Sequence, residues 1–169
     1  MFQNQVYITP AEGLPGDFAS SNPMIYKLSG GGKMVADATG VKVGQFAILN
    51  ADGTVTTIPG TAAAAPTFRI GFVHREDNAQ ITTFLAEAGY TIQAGQPVAL
   101  FGAGDFYIKA DAITGTPVRG AVIAWDTTTG LINVGATITG NVVDTGFIMV
   151  SESVTAGSTI VISNAFRRV

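Results

Sequence analysis

The stretch Thr67-Phe68-Arg69-Ile70-Gly71-Phe72-Val73-His74-Arg75, then Glu76-Asp77-Asn78-Ala79, then Gln80-Ile81-Thr82-Thr83-Phe84-Leu85-Ala86, decides the fold class. Two alternating apolar runs flank a short polar turn, the pattern of a β-hairpin. Phe68, Ile70 and Phe72 share one face of the first arm, and Ile81, Thr83 and Leu85 share one face of the second. Gln96-Pro97-Val98-Ala99-Leu100-Phe101 follows a turn at Ala94-Gly95, and Asp105-Phe106-Tyr107-Ile108 follows Gly102-Ala103-Gly104. This spacing predicts an antiparallel meander that the rest of the chain extends or closes.

Working outward, Val41-Lys42-Val43-Gly44-Gln45-Phe46-Ala47-Ile48-Leu49 reads as a strand, a glycine turn and a second strand. Asn50-Ala51-Asp52-Gly53 then predicts a tight type I′ hairpin returning through Thr54-Val55-Thr56-Thr57-Ile58. The same strand–glycine–strand device recurs around Gly95 and Gly157, at irregular spacing, which excludes a solenoid. Residues 62–65 and Pro66 predict a loop. Residues 118–125 and 131–134 predict a hairpin, and residues 145–153 and 159–163 predict the last strand pair. Roughly ten strands and almost no helix add up to an all-β fold, an antiparallel β-barrel or sandwich built from hairpins.

Residues 1–34 differ from the compact pattern of residues 35–169. Pro10, Gly13, Pro15, Gly16, Pro23 and Gly30-Gly31-Gly32 break any helix, and only residues 5–8 and 24–28 resemble strands. Extended, this segment reaches on the order of 110 Å. Its apolar Phe2, Tyr7, Phe18, Met24 and Tyr26 favour an N-terminal arm that orders against a neighbouring subunit over a floppy terminus.

Charged residues make up 12% of the 169-residue chain, about half the share of an ordinary soluble domain. Hydrophobic residues make up 47%, and mean hydropathy is +0.36. No apolar run approaches the ~18 residues of a membrane helix, so the apolarity belongs to strands and surface. Low-charge patches of this kind mark surfaces covered by other chains. The net charge of −3 and the absence of a basic cluster longer than Arg167-Arg168 exclude an electrostatic footprint for nucleic acid. The chain has no cysteine, so it has no disulfide framework or thiolate chemistry. Met1-Phe2-Gln3-Asn4-Gln5 lacks the basic start of a signal peptide.

Catalytic patterns are thin. His74 is the single histidine and, without cysteine, makes no ordinary zinc site; a structural or interface role is favoured. There is no G-x-S-x-G elbow. Gly30-Gly31-Gly32-Lys33 fails as a phosphate loop, because Met34 stands where Ser or Thr is needed and Lys27 where the first glycine is needed. Glu76 and Asp77 sit at a predicted hairpin tip; Asp105 is expected to cap a turn, and Asp52, Asp126 and Asp144 to lie in turns. No cofactor, metal site or catalytic residue is predicted. Trp125, Phe101, Phe106, Tyr107 and Phe147 would line a cleft only if exposed; their places inside strands favour the core.

Several ordered blocks carry a family resemblance. They are Gly16-Asp17-Phe18-Ala19-Ser20-Ser21-Asn22-Pro23, Val43-Gly44-Gln45-Phe46-Ala47 and Gly71-Phe72-Val73-His74-Arg75-Glu76, followed in order by three more. Those are Ile81-Thr82-Thr83-Phe84-Leu85-Ala86-Glu87-Ala88, Ala94-Gly95-Gln96-Pro97-Val98 and Gly104-Asp105-Phe106. Together, over residues 13–108, the chain resembles the structural cement (decoration) proteins of tailed-bacteriophage capsids.

The resemblance implies a non-enzymatic virion protein, made in the host cytoplasm and placed on the outer surface of the expanded capsid. Its partners would be the phage major capsid protein and itself, as a homo-oligomer, a trimer first and a dimer as the alternative. The expected contact residues are Phe18, Asn22, Met24 and Tyr26 in the arm, and His74, Arg75, Glu76 and Asp77 at the hairpin tip. The alternative from a different class is a carbohydrate-binding β-sandwich adhesin module, which exposed aromatics in a shallow cleft would favour.

Overall fold

A computed structural model describes residues 13–27, 32–60, 69–75, 79–81 and 90–164. The described residues form fifteen strands and no α-helix. In chain order these are β1 (Ile25–Tyr26), β2 (Val35–Ala36), β3 (Val41–Lys42), β4 (Phe46–Leu49), β5 (Thr54–Thr56), β6 (Ile70–Val73), β7 (Ala79–Ile81) and β8 (Tyr90–Ile92). Then follow β9 (Leu100–Ala103), β10 (Asp105–Lys109), β11 (Ala112–Ile113), β12 (Val122–Asp126), β13 (Ile132–Val134), β14 (Val142–Met149) and β15 (Thr159–Ser163). The all-β expectation holds.

Three sheets result. One six-stranded sheet runs β1-β9-β6-β4-β5-β2, a second runs β10-β15-β14-β12-β13-β11, and a small one runs β3-β8-β7. Phe46, Ile48, Ile70, Phe72 and Phe101 of the first sheet share a buried cluster with Phe106, Ile108, Trp125, Phe147 and Met149 of the second. Rings meet across the two, Phe72 with Phe106 at 4.5 Å and Phe46 with Phe147 at 5.5 Å between centroids. On the reverse face of the first sheet, Ala47, Val73 and Leu100 pack with Val41 and Ile92 of the small sheet. The first sheet is therefore a middle layer, covered on both faces.

This two-sided burial corrects the reading of the 68–86 stretch as a hairpin. Every residue of β6 is buried, and β6 pairs with β4 on one edge and β9 on the other. Its register sets Phe72 opposite Phe46, Gly71 opposite Ala47 and Ile70 opposite Ile48. Gly71 faces the small sheet, where an added Cβ would lie 2.9 Å from the Leu100 Cβ, so the close approach of β9 selects glycine. The predicted return arm begins in β7, which pairs with β8 instead. Phe68, the tip residues Glu76 and Asp77, and Thr82 to Leu85 lie outside the described residues, as do residues 5–8 and the 61–66 loop.

The predicted meander is corrected too, because β9 and β10 belong to different sheets. Gly104, at φ +140°, turns the chain between them, and Asn164 fastens this corner. Its Oδ1 accepts from the Gly104 N–H at 3.1 Å and its Nδ2 donates to the Gly102 carbonyl.

The local hairpins form where the turn signals stand. β4 pairs with β5, β12 with β13 and β14 with β15, all antiparallel. The first loop differs from type I′. Gly53 N–H donates to Asn50 O at 3.1 Å and Asn50 N–H to Thr54 O at 2.8 Å, with Gly53 at φ +83°. That is the three-residue loop with glycine in the left-handed position. Gly44, Gly95 and Gly157 share that conformation, at φ of 77°, 79° and 84°, in the three recurring turns.

Candidate functional site

Residues 13–27 form a strap across one side of the sandwich. Along its first half the chain adds to the open edge of β10, whose other edge pairs with β15. Gly16 N–H donates to Tyr107 O at 2.9 Å, Tyr107 N–H to Asp17 O at 3.0 Å, and Ala19 N–H to Asp105 O at 2.9 Å. Phe18 faces Phe106 as an antiparallel bridge.

Two glycines let the strap come this close. A Cβ on Gly16 would meet the Val43 Cγ1 at 2.7 Å, and one on Gly44 would meet the Pro15 carbonyl carbon at 2.9 Å; both have positive φ. Four of the sequence blocks, around Gly16, Gly44, His74 and Asp105, thus converge on one place.

Arg75 ties the strap down. Its N–H donates to Gly16 O at 3.0 Å and its guanidinium to Pro15 O at 3.1 Å. Its Nε lies 3.0 Å from Asp17 Oδ1, an ion pair without the alignment of a hydrogen bond. The guanidinium also sits 4.3 Å from the centre of the Tyr90 ring, a cation–π distance. Beside it, Phe18 stacks on His74 at 3.8 Å and meets Phe101 and Phe106 at 5.5 Å each. Burial pushes the His74 imidazole below its ordinary range; Asp17 opposes this and Arg75 reinforces it. The imidazole packs face to face with the Phe18 ring.

Asp105, expected as a turn cap, is instead a buried anchor. Its Oδ2 accepts from Ser20 Oγ and Asn22 Nδ2, both at 2.5 Å. Burial raises its pKa, but hydrogen bonds from Ser163, Ser20 and Asn22 outweigh this and hold it below the ordinary carboxylate value. Of the other three aspartates, Asp52 sits in its turn and Asp126 ends β12 at the hairpin turn, but Asp144 lies within β14, contrary to the turn expectation; they accept from the amides of Thr54, Thr128 and Gly146.

The second half of the strap behaves differently. β1 adds to β9 at the end of the middle sheet, and its far edge carries no strand among the described residues. Met24 rests over Gly104, and Tyr26 lies 4.3 Å from the Phe101 ring. Yet Met24, Ile25 and Tyr26 remain 39%, 62% and 58% exposed.

Of the residues singled out in the sequence, Phe18, His74 and Arg75 form one cluster, and Asn22 is held by Asp105. Met24 and Tyr26 lean on Gly104 and Phe101 and stay partly exposed, while Glu76 and Asp77 lie outside the described residues. Ile25, Asp17 and Asp105 were missed as members of this surface. Ile25 could have been found from its place between Met24 and Tyr26 on a lone edge strand; the two aspartates gave no signal without the strap's register. The aromatics weighed as cleft-liners are core: Trp125, Phe101, Phe106 and Phe147 are buried, and Tyr107 lies under Gly13.

Among curated proteins none matches the chain. Among solved structures, a chain of "The capsid of Myoviridae Phage XM1" shares the fold, with a TM-score of 0.61 at 13% identity over 96% of each chain. The family model of the XM1 gp53 minor capsid protein matches residues 2–164. With nearly the whole chain matched, the protein belongs to the XM1 gp53 minor capsid protein family, structural proteins associated with the capsids of tailed phages.

Proposed function

We propose that this protein is a capsid cement protein that binds the outer surface of the expanded shell and clamps neighbouring major capsid subunits. The observation that carries this reading is the exposed apolar edge strand. Met24, Ile25 and Tyr26 lie side by side on an open sheet edge, which suits strand addition by a neighbouring chain. The first half of the strap and the pairing of β1 with β9 already order that edge, which lowers the ordering entropy lost on docking. His74 and Arg75 lock the strap from below, Phe18 and Asn22 fasten it, and Glu76 and Asp77 follow directly in the chain as candidate rim contacts.

A homo-oligomer, a trimer first, would link several such edges, so that each bound contact raises the effective concentration of the next. Binding only the expanded shell stabilises it by mass action. The net charge of −3 suits an outer face better than a DNA-lined interior.

Sedimentation of the purified protein, alone and with expanded shells lacking it, tests the reading. Saturable co-sedimentation at fixed stoichiometry is expected, with antibody access to the bound protein on intact particles. The free species reports the oligomeric state. A protein that leaves the shells bare overturns it.

A further inference from the structure

A cleft of about 720 Å³ opens where the strap, the small sheet and the second large sheet meet. That volume is within the ordinary range of ligand sites. Among the described residues, its walls carry three cations, Lys42, Arg75 and Lys109, against one carboxylate, Asp111. This is unusual in a chain of net charge −3.

The charges are not equivalent. Arg75 is matched by Asp17 and held over Tyr90. Asp111 is tied to β13, its Oδ2 accepting from the Ile132 amide at 2.9 Å. Lys42 ends β3 and Lys109 ends β10, both exposed, and the ion pairs among the described residues include neither. Two lysines from different sheets therefore flank one cleft with no ion pair among the described residues, outnumbering the single carboxylate there, while Val43, Ile132 and the Tyr90 ring supply apolar wall.

We propose that this cleft binds an extended acidic peptide segment presented by a capsid subunit, its carboxylates meeting Lys42 and Lys109 and its apolar side chains lying against Tyr90 and Val43. The source of the peptide rests on the cement reading; the chemistry of the cleft does not. Charge complementarity selects the acidic segment, and the apolar wall selects a peptide over a simple anion. A nucleic-acid strand fits poorly, because its evenly spaced phosphates need an extended basic track and the cleft offers two exposed lysines beside an arginine already paired with Asp17. The cleft takes Leu14 and Pro15 from the start of the strap and no residue of β1, so a second contact there would add to the edge-strand contact and not compete with it.

The intact protein is titrated, at low and at physiological salt, against a fluorescein-labelled peptide of alternating glutamate and valine. The same peptide with glutamine for glutamate and a single-stranded DNA oligomer of equal charge serve as parallel probes. Binding of the glutamate peptide is expected, weakening with salt and falling about tenfold in Lys42→Glu/Lys109→Glu, as two partly exposed ion pairs imply. Lys33→Glu, an exposed cation away from the cleft, should bind as the parent does. Both lysines are exposed, so the double variant should keep its fold, checked by the fluorescence of buried Trp125. Equal binding of the glutamine peptide, unchanged binding by the double variant, or DNA binding as tight as the peptide's would overturn the proposal. None of these readouts uses shells, so they stand apart from the co-sedimentation result.

Discussion

The two halves of the strap use the same device to opposite ends. Residues 16–19 and residues 25–26 each lie antiparallel along a sheet edge. The first half is built inward: glycines bring its backbone against the turn at Gly44, Asp17 meets Arg75, and Phe18 fills a ring of aromatics. The second half is built outward, leaving three large apolar side chains largely exposed at an edge that no strand among the described residues pairs. Edge strands of that kind are usually blunted by charge or proline. The contrast teaches that the strap is an anchor and a presented surface in one segment, and that stability and binding should separate along it.

Gly44→Val attacks the anchor most severely, forcing a β-branched residue to φ +77° against the Pro15 backbone 2.9 Å away. A loss of about 3 kcal/mol is expected in urea unfolding, with faster proteolytic cutting of the strap. Asp105→Ala comes next. It strands the Ser20, Asn22 and Ser163 donors, and because two of those can turn to water the cost should be about 1–2 kcal/mol, read the same way.

The histidine sharpens the contrast through pH. His74 has a folded pKa below its ordinary 6.5, so the unfolded chain binds the proton more readily. Its stabilising contribution is complete above pH 6.5 and declines as pH falls from there through the folded value. The melting temperature of the parent should drop over that window, and that of His74→Phe, which keeps a ring against Phe18 and cannot titrate, should drop less. The smallest stability effect belongs to the presented half. Ile25→Ser should stay within about 0.5 kcal/mol of the parent, yet lower occupancy on expanded shells. A large destabilisation by Ile25→Ser, or none by Gly44→Val, would break the division between the halves.

Much of the fold was legible where partners are close in sequence. Asp52-Gly53 and Asp126 to Gly130 mark real hairpins, because a few turn residues determine such pairings. The central stretch was misread for a physical reason. Ile70 and Phe72 alternate with Gly71 and Val73 as a half-buried strand would, but the small residues face a second core of alanine, valine and leucine. Burial on both faces removes the polar row that alternation needs. The partners of β6 then come from far along the chain, and periodicity does not name them.

The same limit applies to the candidate site. Phe18, His74 and Arg75 each stood out singly, but their meeting depends on the register of residues 16–19 against β10. The two lysines of the cleft were invisible for a like reason, since β3 and β10 share no local pattern.

One further consequence follows from the place of β10 between the strap and β15. The strap needs β10, and β10 is completed on its other edge by a strand near the end of the chain. On the ribosome Gly16 emerges about ninety residues before Tyr107, its partner on β10, a wait of roughly ten seconds at ordinary rates of synthesis. The first described part of the chain is thus among the last to settle. Throughout that interval its apolar residues are available to other nascent copies, so slow synthesis or crowded polysomes would let pairing between copies compete with self-closure.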